Sequence, residues 1–132
     1  MIANGREKGQ RTALIIEDNE DNRVLIVSLL QWGGYRTIMC ATGQSGYETA
    51  LRAHPDLILL DIQLPDINGI EVLHRIRASE INGAIPIIAM TSYAMAGDRE
   101  RLMAAGCTGY IEKPIEPNRV LDQIREILGE TS

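Results

Sequence analysis

Four short apolar runs in the chain each stop on a polar side chain: Ala13-Leu14-Ile15-Ile16 on Glu17-Asp18, Leu57-Ile58-Leu59-Leu60 on Asp61, Ile87-Ile88-Ala89-Met90 on Thr91-Ser92, and Tyr110-Ile111-Glu112 on Lys113. Runs this short, without polar alternation, read as parallel strands covered on both faces. Between them the spacing turns helical. After the first run come Val24, Leu25, Val27, Leu29 and Leu30, ending at Gly33-Gly34. Ahead of these residues, Asn19-Glu20-Asp21-Asn22 offers a cap and acids suited to the positive end of a helix dipole.

The alternation continues to the end of the chain. Tyr35 to Met39 predicts a second strand, and Ser45 to Ala53 a second helix, with Ser45 and Glu48 spaced as a capping box. A third strand over Asp56 to Asp61 leads through Ile62-Gln63-Leu64-Pro65-Asp66 into a helix from Asn68 to Ala78. Asn82-Gly83 supplies a turn before a fourth strand, Ile85 to Met90, and a fourth helix, Met95 to Ala105. Thr108 to Glu112 gives the fifth strand, and Pro117 opens a helix carrying Val120, Leu121, Ile124, Ile127 and Leu128. Five such units imply an α/β fold: a doubly wound, five-stranded parallel sheet with helices on both faces. Periodicity leaves the strand order open.

The chain's 132 residues fit one domain, and no apolar run approaches the ~18 residues of a membrane span. Met1 to Arg11 is polar and does not read as a signal peptide, so a cytoplasmic setting is expected. A net charge of −5, few aromatics and no Phe argue against a nucleic-acid surface. Cys40 and Cys107 fall outside metal-ligand spacing and read as packing residues.

In a parallel sheet the four polar stops share one edge, where open α/β sheets bind ligands. Glu17, Asp18 and Asp61 would repel one another there unless a cation intervened, and oxygen-only ligands favour Mg2+. With the charge offset, Asp61 can attack phosphorus to give an aspartyl phosphate, Lys113 can neutralise a phosphoryl oxygen and Thr91 can hydrogen-bond another. Singly these residues have plainer readings: a solvated helix opening for Glu17-Asp18, ordinary surface positions for Thr91 and Lys113, a half-buried strand aromatic for Tyr110. Thr42-Gly43-Gln44-Ser45-Gly46 lacks the Lys of a phosphate-cradling loop and reads as a loop and helix cap. His54 and His74 read as surface residues, while Tyr93, Met95 and Met103 suit either core packing or a docking surface.

The acidic pair, the segment from Asp56 to Asp61, Leu64-Pro65-Asp66-Ile67-Asn68-Gly69, Thr91 and Tyr110-Ile111-Glu112-Lys113-Pro114 together resemble the receiver domain of two-component response regulators, the CheY-like superfamily. The resemblance runs from Thr12 to about Leu128. It implies a flavodoxin-like sheet of order 2-1-3-4-5, a domain over 12–129, a flexible segment 1–11 and a tail 130–132. It makes Asp61 the phosphoacceptor and has Asp18 and Asp61 hold Mg2+ directly, Glu17 largely through water, and Gln63 through its carbonyl. Thr91 and Lys113 would contact the phosphoryl group, Tyr110 would turn inward as Thr91 moves, and the Lys113-Pro114 peptide would be cis.

A histidine kinase or histidine phosphotransfer protein is the implied donor. A downstream protein target would bind the face of the fourth helix, fifth strand and fifth helix. No nucleic-acid contact, membrane contact or conventional enzymatic activity is implied, and the receiver would be a monomer or a phosphorylation-dependent dimer. With no effector domain after Leu128, a single-domain regulator of the DivK type is expected. The alternatives are a receiver of a hybrid histidine kinase, suggested by the stretch from Thr91 to Asp98, and a non-phosphorylated interaction module. Flavin is disfavoured, because Glu17, Asp18, Glu20 and Asp21 stand where its phosphate would sit.

Overall fold

In each central strand alternate side chains go to opposite faces, so an unbroken apolar run feeds two cores at once. Leu14, Ile16, Ile58, Leu60, Ile87 and Ala89 enter one buried cluster, while Ala13, Ile15, Leu57, Leu59, Ile88 and Met90 enter the other. The computed structural model describes residues 10–79, 85–92 and 95–130. The expected turn at Asn82-Gly83, the position of Tyr93 and most of the expected N-terminal segment lie outside the described residues.

The elements are β1 (Thr12–Ile16), α1 (Glu20–Trp32), β2 (Arg36–Cys40), α2 (Gly43–Ala53), β3 (Leu57–Asp61), α3 (Gly69–Ala78), β4 (Ile87–Thr91), α4 (Ala96–Ala104), β5 (Gly109–Glu112) and α5 (Val120–Leu128). All pairings are parallel, in the order β2-β1-β3-β4-β5. This is the doubly wound arrangement expected, with β3 at the centre between β1 and β4. Ile26 and Leu30 of α1 and Val120 and Ile124 of α5 cover one face. Ala50 of α2, Val72, Leu73 and Ile76 of α3 and Leu102 of α4 cover the other.

Local details differ from the sequence reading for identifiable reasons. The second strand starts one residue late because the Tyr35 N–H donates to Leu30 O at 2.9 Å, closing α1, and pairing begins only at Arg36 opposite Thr12. The expected Ser45–Glu48 capping box is not formed. α2 starts at Gly43 with Thr42 as its N-cap, accepting from the Ser45 N–H at 3.1 Å, while Glu48 accepts from the Gln44 side chain. Pro117 falls one turn ahead of α5, in a turn where Glu116 O accepts from the N–H groups of Arg119 and Val120. At the other end of the fold the Arg11 guanidinium pairs with Glu130 and lies 4.9 Å over the Tyr35 ring.

Candidate functional site

Three backbone bonds just past the strand ends frame the site. The Glu17 N–H donates to Cys40 O at 3.0 Å, the Ile62 N–H to Met90 O at 3.1 Å, and the Lys113 N–H to Thr91 O at 2.8 Å. The ladder therefore continues one residue past the strands and fixes the backbone from which the polar side chains project. The Lys113–Pro114 peptide is cis, as expected.

Glu17 is 0% exposed and Asp61 1%, two carboxylates taken out of water at adjacent strand ends. Between them stands Lys113, whose Nζ lies 3.0 Å from Glu17 Oε1 and 3.2 Å from Asp61 Oδ1. Asp61 Oδ1 also accepts from the Gln63 N–H at 2.9 Å. Burial pushes the Asp61 carboxyl above its usual range; the Glu17 charge adds to this, while the Gln63 N–H and Lys113 oppose it. Burial works against the charge on Lys113, yet the Glu17 and Asp61 carboxylates outweigh it and raise the ammonium above its ordinary value.

Asp18 is exposed beside this pair, and Glu17, Asp18 and Asp61 each offer an oxygen within 4.8 Å of the others. Glu17 Oε1 accepts no hydrogen bond of proper angle among the described residues; the Lys113 ammonium meets it as a bare charge contact. Buried carboxylate oxygens are rarely left in that state, and an oxygen-only cluster suits a hard divalent cation. These residues fit such an ion.

Some supporting residues are not legible as site residues in the sequence. The Arg23 guanidinium donates to Glu17 O at 2.9 Å and to Asp18 O at 3.4 Å, and the Asn19 N–H donates to Glu17 Oε2 at 3.1 Å. Asn19 also caps α1, accepting from the Asn22 N–H at 2.9 Å. After Asp61 the chain turns back on itself: the Gly69 N–H donates to Ile62 O, and a Cβ on Gly69 would stand 2.5 Å from Ile62 Cα. Only glycine permits that approach.

Thr91 ends β4, 1% exposed, and lines a cavity of about 30 Å³ with Ile62, Ile70, Asp98, Arg101 and Leu102. Tyr110 lies on the next strand opposite Ala89, half-buried, with the Arg99 guanidinium 5.4 Å from its ring centre. The sequence-predicted residues Glu17, Asp18, Asp61, Gln63, Thr91 and Lys113 thus gather at one sheet edge, with Tyr110 beside them. His54 and His74 are exposed and apart from the site. Cys40 and Cys107 are free thiols, and Met95 and Met103 are exposed rather than in the core. The segment from Thr42 to Gly46 is the opening of α2, as the loop-and-cap reading expects.

The family model of the response regulator receiver domain matches residues 13–125. The chain belongs to this family. The receiver is 42% identical over 120 residues to the polar-differentiation response regulator DivK of Brucella ovis, covering 91% of this chain and 98% of that protein. It is 34% identical to the receiver domain of sensor histidine kinase PA1611 from Pseudomonas aeruginosa, with a TM-score of 0.81 over 92% of this receiver and 99% of that domain. That structure holds a magnesium ion coordinated in its active site cleft. The fold is also shared with the chemotaxis protein CheY4 of Vibrio cholerae at a TM-score of 0.84, 24% identity and coverage of 89% and 98%.

Proposed function

We propose that this receiver is a phosphorylation-controlled switch in which Asp61 accepts a phosphoryl group from a histidine kinase or histidine phosphotransfer protein. The observation that carries the reading is the placement of Asp61: a buried carboxylate with one oxygen held by the Gln63 N–H and Lys113, on the edge it shares with Thr91 and the Glu17-Asp18 pair. A carboxylate oxygen of Asp61 forms a bond to phosphorus as the phosphorus–nitrogen bond of the donor phosphohistidine breaks, and the imidazole nitrogen keeps the electron pair. The product is an aspartyl phosphate.

Glu17, Asp18, Asp61 and the carbonyl of Gln63 are the residues that would hold Mg2+, as the magnesium-bound PA1611 receiver supports. Bound there, the ion supplies positive charge that offsets carboxylate and phosphoryl oxygens alike. Lys113 gives up its contact with Asp61 to pair with a phosphoryl oxygen, and the Thr91 hydroxyl donates to another. That movement of Thr91 draws Tyr110 inward and alters the face made of α4, β5 and α5, which binds the downstream protein. On this reading the receiver works in the cytoplasm as a switch, not as an enzyme turning over a substrate. The 42% identity to DivK over nearly its whole length favours a single-domain regulator; the 34% identity to the PA1611 receiver is the support for the hybrid-kinase alternative.

Intact-mass analysis after incubation with acetyl phosphate tests this. A single phosphoryl adduct that needs Mg2+ and is lost in Asp61→Asn is expected; an adduct that persists in Asp61→Asn would refute the assignment.

A further inference from the structure

The loop that follows Asp61 is bolted to a helix distant in sequence. The Asp66 carboxylate accepts from the Gly43 N–H through Oδ1 at 2.8 Å and from the Gln44 N–H through Oδ2 at 2.9 Å. These are first-turn donors of α2 that the helix itself cannot satisfy, and a carboxylate is the ligand their dipole favours. The Gln44 and Gly43 N–H groups in turn hold the Asp66 carboxyl below its usual range, so the contact is a charge-assisted one.

The approach is close on both sides. A Cβ on Gly43 would stand 2.9 Å from Val72 Cγ2, 3.2 Å from Ile67 Cβ and 3.3 Å from Asp66 Oδ1, so a larger residue would push the loop off the helix. At its base the loop is closed by the Gly69 N–H on Ile62 O, and Ile62 is itself tied to Met90. Between these anchors lies Gln63, whose N–H holds Asp61 Oδ1.

We infer that Asp66 is a positioning residue: by seating its carboxylate on α2 it fixes the loop that presents Gln63 to Asp61 and to a divalent cation. The inference rests on the phosphoacceptor reading for its consequence, and on the loop geometry alone for its premise. Thr42 separates the two roles that Asp66 plays, because its hydroxyl caps the same helix through hydrogen bonds to Ser45 and not to the loop.

The test compares Asp66→Ala, Asp66→Asn and Thr42→Ala with the native chain. Three quantities are read: Mg2+ affinity by calorimetry, amide hydrogen exchange at Gln63, and the initial rate of adduct formation from acetyl phosphate at limiting Mg2+. Asp66→Ala is expected to weaken Mg2+ binding and slow the adduct by about fivefold to tenfold, near the low end for partners outside a metal's direct ligands. The Gln63 amide exchanges faster in the same variant. Asp66→Asn, which keeps one acceptor oxygen, falls between and serves as the main variant if Asp66→Ala does not fold. Thr42→Ala leaves all three readouts near native.

Mg2+ affinity unchanged within twofold in both Asp66 variants would overturn the inference. So would an equal loss in Thr42→Ala, which would assign the effect to helix stability. A native chain that binds Mg2+ but takes no adduct from acetyl phosphate or from a phosphorylated histidine phosphotransfer protein refutes the phosphoacceptor reading, while the Mg2+ and exchange readouts still decide Asp66. A native chain that does not bind Mg2+ overturns both.

Discussion

Replacing Lys113 with Met leaves two buried carboxylates without their shared cation. The Lys113 side chain is 13% exposed, against 0% for that of Glu17 and 2% for that of Asp61, so solvent screens the trio little. Removing one partner from a buried ion pair costs about 3–5 kcal/mol, because the charge left behind is uncompensated. The low end of that range, about 3 kcal/mol, is the expected loss at neutral pH without divalent cations. At roughly 4 °C per kcal/mol for a domain of this size, the melting temperature falls by about 12 °C.

The pH dependence carries a definite sign. Burial has raised the Asp61 carboxyl above its unfolded value, so its contribution to stability is present below the unfolded value and is lost as pH rises through the folded one. Without Lys113 the folded value rises further, so the penalty of the substitution shrinks toward pH 4 and is complete at neutral pH. Added Mg2+ restores part of the melting temperature at pH 7.5, since binding to the folded state alone stabilises it. Differential scanning calorimetry at pH 4.5 and 7.5, with EDTA or with Mg2+, reads all of this. A loss below about 2 °C at pH 7.5, or one equal at both pH values, would refute the reasoning.

By the same sign, Asp61→Asn raises the melting temperature in EDTA at pH 7.5 and converges on the native curve near pH 4, which a pH series of thermal melts checks. Gly69→Ala forces a methyl to 2.5 Å from Ile62 Cα and 2.6 Å from Asp61 O, both backbone, and is expected to cost about 1–3 kcal/mol in urea unfolding while weakening Mg2+ binding. Leu73→Ala, in the fully buried part of α3, should cost about 2–5 kcal/mol in the same assay without changing the Mg2+ affinity of the folded protein.

Glu17, Asp61, Thr91 and Lys113 were readable as one site because each terminates an apolar run, and parallel strands of similar length bring such ends to a common edge. Asp18 and Gln63 followed as their sequence neighbours. The helices showed their buried faces through the spacing of Ile26 and Leu30, or of Val120 and Ile124. Elsewhere the local pattern misled. Ser45 and Glu48 have the spacing of a capping box, but the Thr42 hydroxyl caps α2 and Glu48 turns to Gln44 instead. Tyr35 looks like the start of a strand, yet its N–H is claimed by α1.

Sequence by itself determined the class of fold, the strand ends and the acids, hydroxyl and ammonium that stand on them, because burial of one residue after another leaves a periodic trace in residue type. The strand order, apart from what the family resemblance implied, belongs to the tertiary structure. So do the wedging of Lys113 between two buried carboxylates, the hold of Arg23 on the Glu17 and Asp18 carbonyls, and the seating of Asp66 on α2 from 23 residues away. These contacts depend on where separate segments are brought in space. A carboxylate that caps a distant helix has the same local sequence context as one that faces water.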